Sequence, residues 1–188
     1  MPDMSNPSAD HRRYAPATAR NREPILAILR RVLPSRGTVL EIASGSGEHA
    51  IFFAEKLPQL TFQPSDPDPA ARLSIASWRE LSALPNLLPP LELSAAAAEW
   101  PVAHADAILN INMVHISPWE AALGLFRGAG RLLAPGSALY MYGPFKIGGV
   151  HTAPSNERFD EGLRMQNPQW GVRNLDDVVA AAREHGLR

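Results

Sequence analysis

Residues 38–50, TVLEIASGSGEHA, constrain the fold of this chain more than any other stretch. A short apolar run, Val39-Leu40-Glu41-Ile42, passes into a small-residue segment, Ala43-Ser44-Gly45-Ser46-Gly47, and residues 48–57 then read as a helix. Strand, small-residue turn and helix in that order form the unit that brings a nucleotide-like ligand against a helix N-terminus. Glycine lets the backbone turn tightly and come close to the ligand. The free N–H groups of the helix's first turn then face it. One acid, Glu41, is set inside the strand just before the turn.

The flanking sequence repeats the alternation. A helix precedes the strand, with Pro24 suited to its first turn and Ile25, Ile28, Leu29, Val32 and Leu33 on one stripe. A short strand is expected at 60–63, cut off by Pro64. A helix at 67–81 and a strand at 87–94, interrupted by Pro89 and Pro90, come next. Residues 106–111 form a strongly apolar strand. Residues 118–133 carry Ala122, Leu125, Phe126 and Ala129 as a helical stripe, and 138–142 make a further strand. Residues 143–172 read as the longest irregular stretch, with a short helix near 156–165, and a loop of that length is functional or disordered. Asn174 caps a last helix, with Leu175, Val178, Val179 and Ala182 facing inward. A leading helix followed by repeated β-α units predicts an α/β fold with a mostly parallel sheet and helices on both faces. Residues 1–13 are expected to be a mobile tail, and 14–188 one domain.

Composition narrows the partners. The formal net charge is -1, which gives no global attraction to nucleic acid or an anionic membrane and favours a small-molecule partner. There is no cysteine, so disulfides, thiolate zinc sites and cysteine nucleophiles are excluded within this chain. The histidines show no ligand-like spacing, and no metal site is expected. No apolar run reaches the roughly 20 residues of a membrane span, and the polar MPDMSNPSADHRR lacks the core of a signal peptide, so a cytoplasmic protein is expected.

The turn alone leaves its ligand open. Gly45 to Ala50 also satisfies G-x-G-x-x-A, and Asp66 follows Gly47 by 19 residues, near the spacing of a carboxylate that grips ribose hydroxyls. Nicotinamide nucleotides and S-adenosylmethionine both offer such a ribose. Glu41 within the strand, the helix before it, and the segment Asn110-Ile111-Asn112-Met113-Val114-His115-Ile116 lean towards the second.

On these residues the chain resembles the class I S-adenosylmethionine-dependent methyltransferases. The run from Val39 to Gly47 is similar to their first motif, Asp66 to the acid after their second strand, and 106–115 with Arg131-Leu132-Leu133-Ala134-Pro135-Gly136 to their fourth strand and following helix. More narrowly, Ala19 to Ile25, Gln63-Pro64-Ser65-Asp66 and Asn112 to Trp119 resemble the methyltransferase-like 26 group, whose substrate is undefined. The resemblance implies a Rossmann-like three-layer α/β/α sandwich and S-adenosylmethionine as cofactor. Two departures stand out. Ala43 replaces the motif's first glycine, and the chain ends at Arg188, before the final strand pair of the general fold.

The resemblance also implies residue roles. Ala43, Ser44, Gly45 and Gly47 bring backbone to the cofactor, Glu41 orients its amino-acid end, and Asp66 accepts its ribose hydroxyls. Asn110 and Asn112 lie by the methionine part, and Arg22 closes over the carboxylate with Asn21. Phe145, Asn156, Phe159 and Asp160 line the acceptor pocket, and His115, Tyr142 or Lys146 serves as a base. Two other readings stay open: a cofactor-binding module that acts through a protein partner without catalysis, and an NAD(P)-dependent oxidoreductase.

Overall fold

A computed structural model describes residues 10–188. Residues 1–9 of the expected tail lie outside the described residues. At its end, Arg13 donates its backbone N–H to Ser74 Oγ and the Arg12 guanidinium lies over Trp78.

Four parallel strands, β1 (Gly37–Ile42), β2 (Leu60–Ser65), β3 (Ala107–Ile111) and β4 (Ala138–Tyr142), form a sheet in the order β2-β1-β3-β4. The sheet's inner strands are β1 and β3. From Val39 to Ile42 and throughout β3 every residue is buried. Helices α1 (Pro16–Val32) and α2 (Glu48–Lys56) cover one face, where Leu29, Phe53 and Phe62 are fully buried. Helices α4 (Trp119–Leu132) and α6 (Leu175–Glu184) cover the other, around Leu40, Ile108 and Phe126. Each such side chain contributes about 1.5–3 kcal/mol on burial. α3 (Pro69–Ser82) lies beside α2. The expected parallel α/β architecture is therefore the observed one. No helix of the described residues is long and apolar enough to cross a membrane.

Several elements differ from expectation. α1 begins at Pro16, not Pro24, and runs through Pro24. Its buried stripe is Thr18, Asn21, Ile25, Leu26 and Leu29, while Ile28 and Val32 are exposed. Pro64 does not end β2, which continues to Ser65. β2 has no further full strand beyond it, and the Pro64 carbonyl still accepts from Leu91 N–H at 3.0 Å. Residues 87–94 form no strand. Their backbone pairs with β2 as the isolated bridges Phe62–Leu87 and Ser65–Leu91, because Pro89 and Pro90 have no N–H to extend a ladder, and Gln63 Nε2 donates to the Pro89 carbonyl at 2.7 Å.

The stretch 143–172 is largely ordered into elements. β5 (Lys146–Ile147) and β6 (Val150–His151) make a small antiparallel hairpin, and α5 (Pro154–Gln166) follows. Asn174 precedes α6 but does not cap it with its side chain; its Oδ1 accepts the Gly149 N–H instead, at 3.1 Å. On α6, Val178 and Ala181 are buried, whereas Leu175 and Val179 are exposed.

Candidate functional site

The C-terminal ends of β1 and β3 meet the turn 43–47 at the sheet's centre, the place where open α/β sheets bind ligands. The turn needs left-handed backbone at three residues: Ala43 (φ 59°), Gly45 (φ 57°) and Gly47 (φ 89°). The two glycines do different work. A Cβ on Gly47 would come within 3.0 Å of Ile75 Cγ1, so this glycine lets α3 pack against the start of α2. A Cβ on Gly45 would meet nothing within 4 Å, so this backbone faces open space. Ala43 occupies the first glycine's position and adopts the conformation a glycine would.

Carboxylates secure and flank the turn. Asp66 Oδ2 accepts the Gly45 N–H at 2.9 Å, and Oδ1 accepts the Asp68 N–H at 2.9 Å. Each oxygen keeps a lone pair for a further donor. Burial raises the Asp66 pKa, against the pull of these hydrogen bonds. Glu41 is 2% exposed, and its Oε2 has no hydrogen-bond partner among the described residues. Burial, with Asp66 adding like charge, pushes its pKa up to about 7, although Ser44 works the other way. Asn110 Nδ2 donates to the Ile42 carbonyl at 3.1 Å and ties the end of β3 to the end of β1, leaving Oδ1 buried and unpartnered. A buried polar atom without a partner costs about 1–3 kcal/mol. Two of them beside a turn whose backbone faces open space fit a polar ligand such as S-adenosylmethionine.

An open cleft of about 620 Å³ lies alongside. α1 contributes Arg20 and Asn21 to it, the ends of β3 and β4 contribute Asn112 and Tyr142, and the hairpin and α5 contribute Phe145, Asn156 and Phe159. Asn112 has left-handed backbone (φ 64°), and its N–H reaches the Tyr142 carbonyl at 2.8 Å, which joins the two strand ends. Asn21 connects cleft and turn: its Oδ1 lies 2.8 Å from Nε2 of His49, in the first turn of α2.

Other expected site residues sit elsewhere. Arg22 is exposed on α1 with its guanidinium 4.7 Å over the Phe52 ring, while Arg20 lines the cleft. His115 is fully buried, against Gly143 and edge-on to Phe145 at 4.9 Å, and neither ring nitrogen has a partner. Burial, with the nearby Arg173, lowers its pKa to about 4, so it is neutral at pH 7. Lys146 and Asp160 are spent on each other. Lys146 Nζ lies 2.8 Å from Asp160 Oδ2, His151 Nε2 3.2 Å from the same oxygen, and Asp160 Oδ1 accepts from Arg164 Nε at 3.1 Å and Val172 N–H at 2.7 Å. Asp160 is a buried clamp that joins the hairpin, α5 and the segment at Val172, not an open ligand group. Burial would raise its pKa, but the bonds from Lys146 and Val172, with the charges of Lys146 and Arg164, outweigh it and lower the value.

Two residues with structural or cleft roles went unread in the sequence. Arg20 sits two residues before the expected Arg22, on another side of α1, in a segment read as irregular. Arg173 binds the carbonyls of Val114, Ser117 and Gln169, and anchors 169–173 over the short 3₁₀ turn Met113–His115. Among the described residues, no group of three or more histidine or acidic side chains converges as a metal site.

A family model described as "Protein of unknown function (DUF938)" matches residues 12–188. Solved structures of similar fold include an O-methyltransferase family protein from Burkholderia thailandensis, with a TM-score of 0.76 and 20% identity over 92% of this chain and 52% of that one. The mitomycin 7-O-methyltransferase MmcR has a TM-score of 0.76 and 15% identity, covering 92% of this chain and 48% of its own. CalO1, a methyltransferase in calicheamicin biosynthesis in its SAH-bound form, has a TM-score of 0.66 and 17% identity, over 88% and 49%. At these identities the likeness is one of fold. The chain spans about half the length of these structures, 52%, 48% and 49%.

Proposed function

This chain belongs to the DUF938 family of proteins of unknown function, and we propose that it is an S-adenosylmethionine-dependent methyltransferase acting on a small-molecule acceptor. One observation carries the reading: the open backbone at Gly45, held by Asp66, beside the buried and unpartnered Glu41 Oε2. The backbone at Ala43, Ser44, Gly45 and Gly47 would hold the cofactor, with the free lone pairs of Asp66 on its ribose hydroxyls and Glu41 and Asn110 towards its amino-acid end. S-adenosylmethionine, when bound, supplies an already activated methyl group. The narrower likeness to the methyltransferase-like 26 group belongs to the same proposal.

The protein's part is then to align the acceptor and exclude water. The cleft walls at Asn21, Asn112 and Phe145 set the acceptor's position. An acceptor atom that carries a proton must give it up. Of the three sequence candidates, Tyr142 fits that task best. It borders the cleft and makes no side-chain hydrogen bond among the described residues, whereas His115 is enclosed and Lys146 is paired. Tyr142 can take the acceptor's hydrogen bond and relay its proton to solvent along the open cleft.

The test is parallel calorimetric titration with S-adenosylhomocysteine and NADH. Binding of S-adenosylhomocysteine in the micromolar range and none of NADH is expected. No heat from S-adenosylhomocysteine at about 1 mM, a ΔG of only about -4 kcal/mol, would sink the reading, and NADH binding in its place would favour the oxidoreductase.

A further inference from the structure

The cleft has a chemical character of its own, apart from the turn. Arg20 is the one charged residue among those that line it, and no carboxylate does. Arg20 forms no ion pair or hydrogen bond with the described residues. Around it the walls are aromatic and apolar, with Tyr142, Phe145, Phe159 and Ile147. Thr152 and Asn156 bring the N-terminal end of α5 to the same cleft. That helix has no side-chain cap, so it adds partial positive charge there. Two acids adjoin lining residues in sequence: Asp160 is consumed by four partners, and Glu157, in the first turn of α5, offsets part of that helix's charge; neither lines the cleft.

An unpaired guanidinium in an acid-free, aromatic-walled cleft suits one planar monoanion. A carboxylate matches the guanidinium fork, and charge-assisted bonds of that kind are about twice as strong as neutral ones. The aromatic walls take a flat apolar body by offset or edge contacts. A volume of about 620 Å³ falls within the usual size of a small-molecule site. We infer that the cleft takes a small aromatic carboxylate, its carboxylate on Arg20 and its ring against Phe145 and Phe159. Its role as the methyl acceptor rests on the methyltransferase reading; its binding does not. A carboxylate could also reach Arg20 from the cofactor's amino-acid end. The acceptor is the better source because Glu41, Gly45, Gly47 and Asp66 are all absent from the cleft lining.

The test titrates para-hydroxybenzoate and its neutral counterpart, para-hydroxybenzyl alcohol, into the full chain with and without saturating S-adenosylhomocysteine. The same titrations are run on Arg20→Gln, Arg20→Lys and Phe159→Ala. The acid is expected to bind at least about tenfold tighter than the alcohol. Arg20→Gln should weaken it by about tenfold or more, Arg20→Lys by less, and Phe159→Ala by severalfold. Arg20→Gln should leave S-adenosylhomocysteine affinity within about twofold. Equal binding of acid and alcohol, or no binding of the acid in either condition, overturns the inference and leaves the methyltransferase reading intact. Loss of S-adenosylhomocysteine affinity in Arg20→Gln, with the acid unaffected, also overturns it and assigns Arg20 to the cofactor's carboxylate. Failure of S-adenosylhomocysteine to bind the unaltered chain overturns the cofactor reading alone, since the acid is titrated without it as well.

Discussion

Gly45 donates its backbone N–H to Asp66 Oδ2 at 2.9 Å, so the carboxylate after β2 holds the turn after β1 in shape. The other oxygen of Asp66 holds the Asp68 N–H at the same distance. One side chain thus orders two loops at the C-terminal edge of the sheet. Asp66→Ala leaves both N–H groups unmet, at about 1–3 kcal/mol for each that stays buried. A lower unfolding midpoint and an S-adenosylhomocysteine affinity weakened by about tenfold or more are expected, with Asp66→Asn in between. Calorimetry and urea melts on the three proteins decide it; unchanged affinity in Asp66→Ala refutes the ribose role.

Ala43 sits at φ 59°, a conformation that costs a residue with a Cβ about 1–2 kcal/mol. Glycine removes that cost but loses about 0.4–1 kcal/mol through the extra freedom of its unfolded chain. Ala43→Gly should therefore leave stability unchanged or raise it, by about 0–1.6 kcal/mol. Ala43→Val should lower it by about 2 kcal/mol or more, since a β-branched side chain at positive φ is a true outlier. Chemical denaturation checks both. A destabilising glycine would mean that the alanine methyl makes contacts worth more than the strain.

Where the fold was legible, the information was local. The five residues of β4 and the bounds of α2 and α4 follow from apolar runs and stripes bounded by prolines and glycines. The turn's residues are consecutive, so their meeting could be read directly. Within residues 143–172 the short helix expected near 156–165 is α5, but the hairpin and the way the stretch is held were opaque, because long-range charge holds it together. Asp160 gathers Lys146, His151 and the Val172 N–H from separate segments, and of its partners Arg164 alone lies at helical spacing, four residues on. Arg20 escaped for a related reason. α1 starts two turns earlier than Pro24 suggests, and that start is secured by the Ala15 N–H on the Glu48 carboxylate across the fold. The prolines at 89 and 90 pulled the other way: strand-like side chains came with a backbone that could not pair.

Glu41 sets a pH dependence that can be isolated. Its pKa in the folded protein is about 7, against an ordinary 4.5, mainly because it is buried. The folded state therefore holds the proton more tightly than the unfolded one. Stability attributable to Glu41 is full at acid pH and falls as pH rises from about 4.5 to about 7, by an amount on the order of 3 kcal/mol. His49 and His115, both lowered to about 4 by burial, act in the opposite sense, losing stability as pH falls below their ordinary 6.5. Glutamine keeps the shape of Glu41 but cannot ionise. The unfolding free energy of Glu41→Gln minus that of the parent should climb across this window, since the histidines cancel in the difference. A flat difference curve would show that Glu41 ionises freely in the folded protein.

Asp160 offers the sharpest test of how the cleft's outer wall is held. Four donors converge on a carboxylate that is 4% exposed, and Lys146 beside it keeps only 18% of its side chain in solvent. Asp160→Ala strands that buried cation and the Val172 N–H together, a loss of about 3–5 kcal/mol by the usual cost of halving a buried pair. Arg164→Ala removes only a partner that is 52% exposed, and solvent screening holds its cost to about 0–1 kcal/mol. Hydrogen exchange should locate the damage. Amides of 146–172 should exchange faster in Asp160→Ala while those of β1 and β3 keep their protection, because the sheet's core makes no use of this carboxylate. The pKa of Asp160 is lowered in the fold, so its contribution is present above the ordinary value of 3.8 and is lost as pH falls through the folded value. The gap between the parent and Asp160→Asn should therefore close in acid and stay open from about pH 5 upward. If 146–172 stays protected in Asp160→Ala, the hairpin and α5 are held by apolar packing and the clamp is secondary.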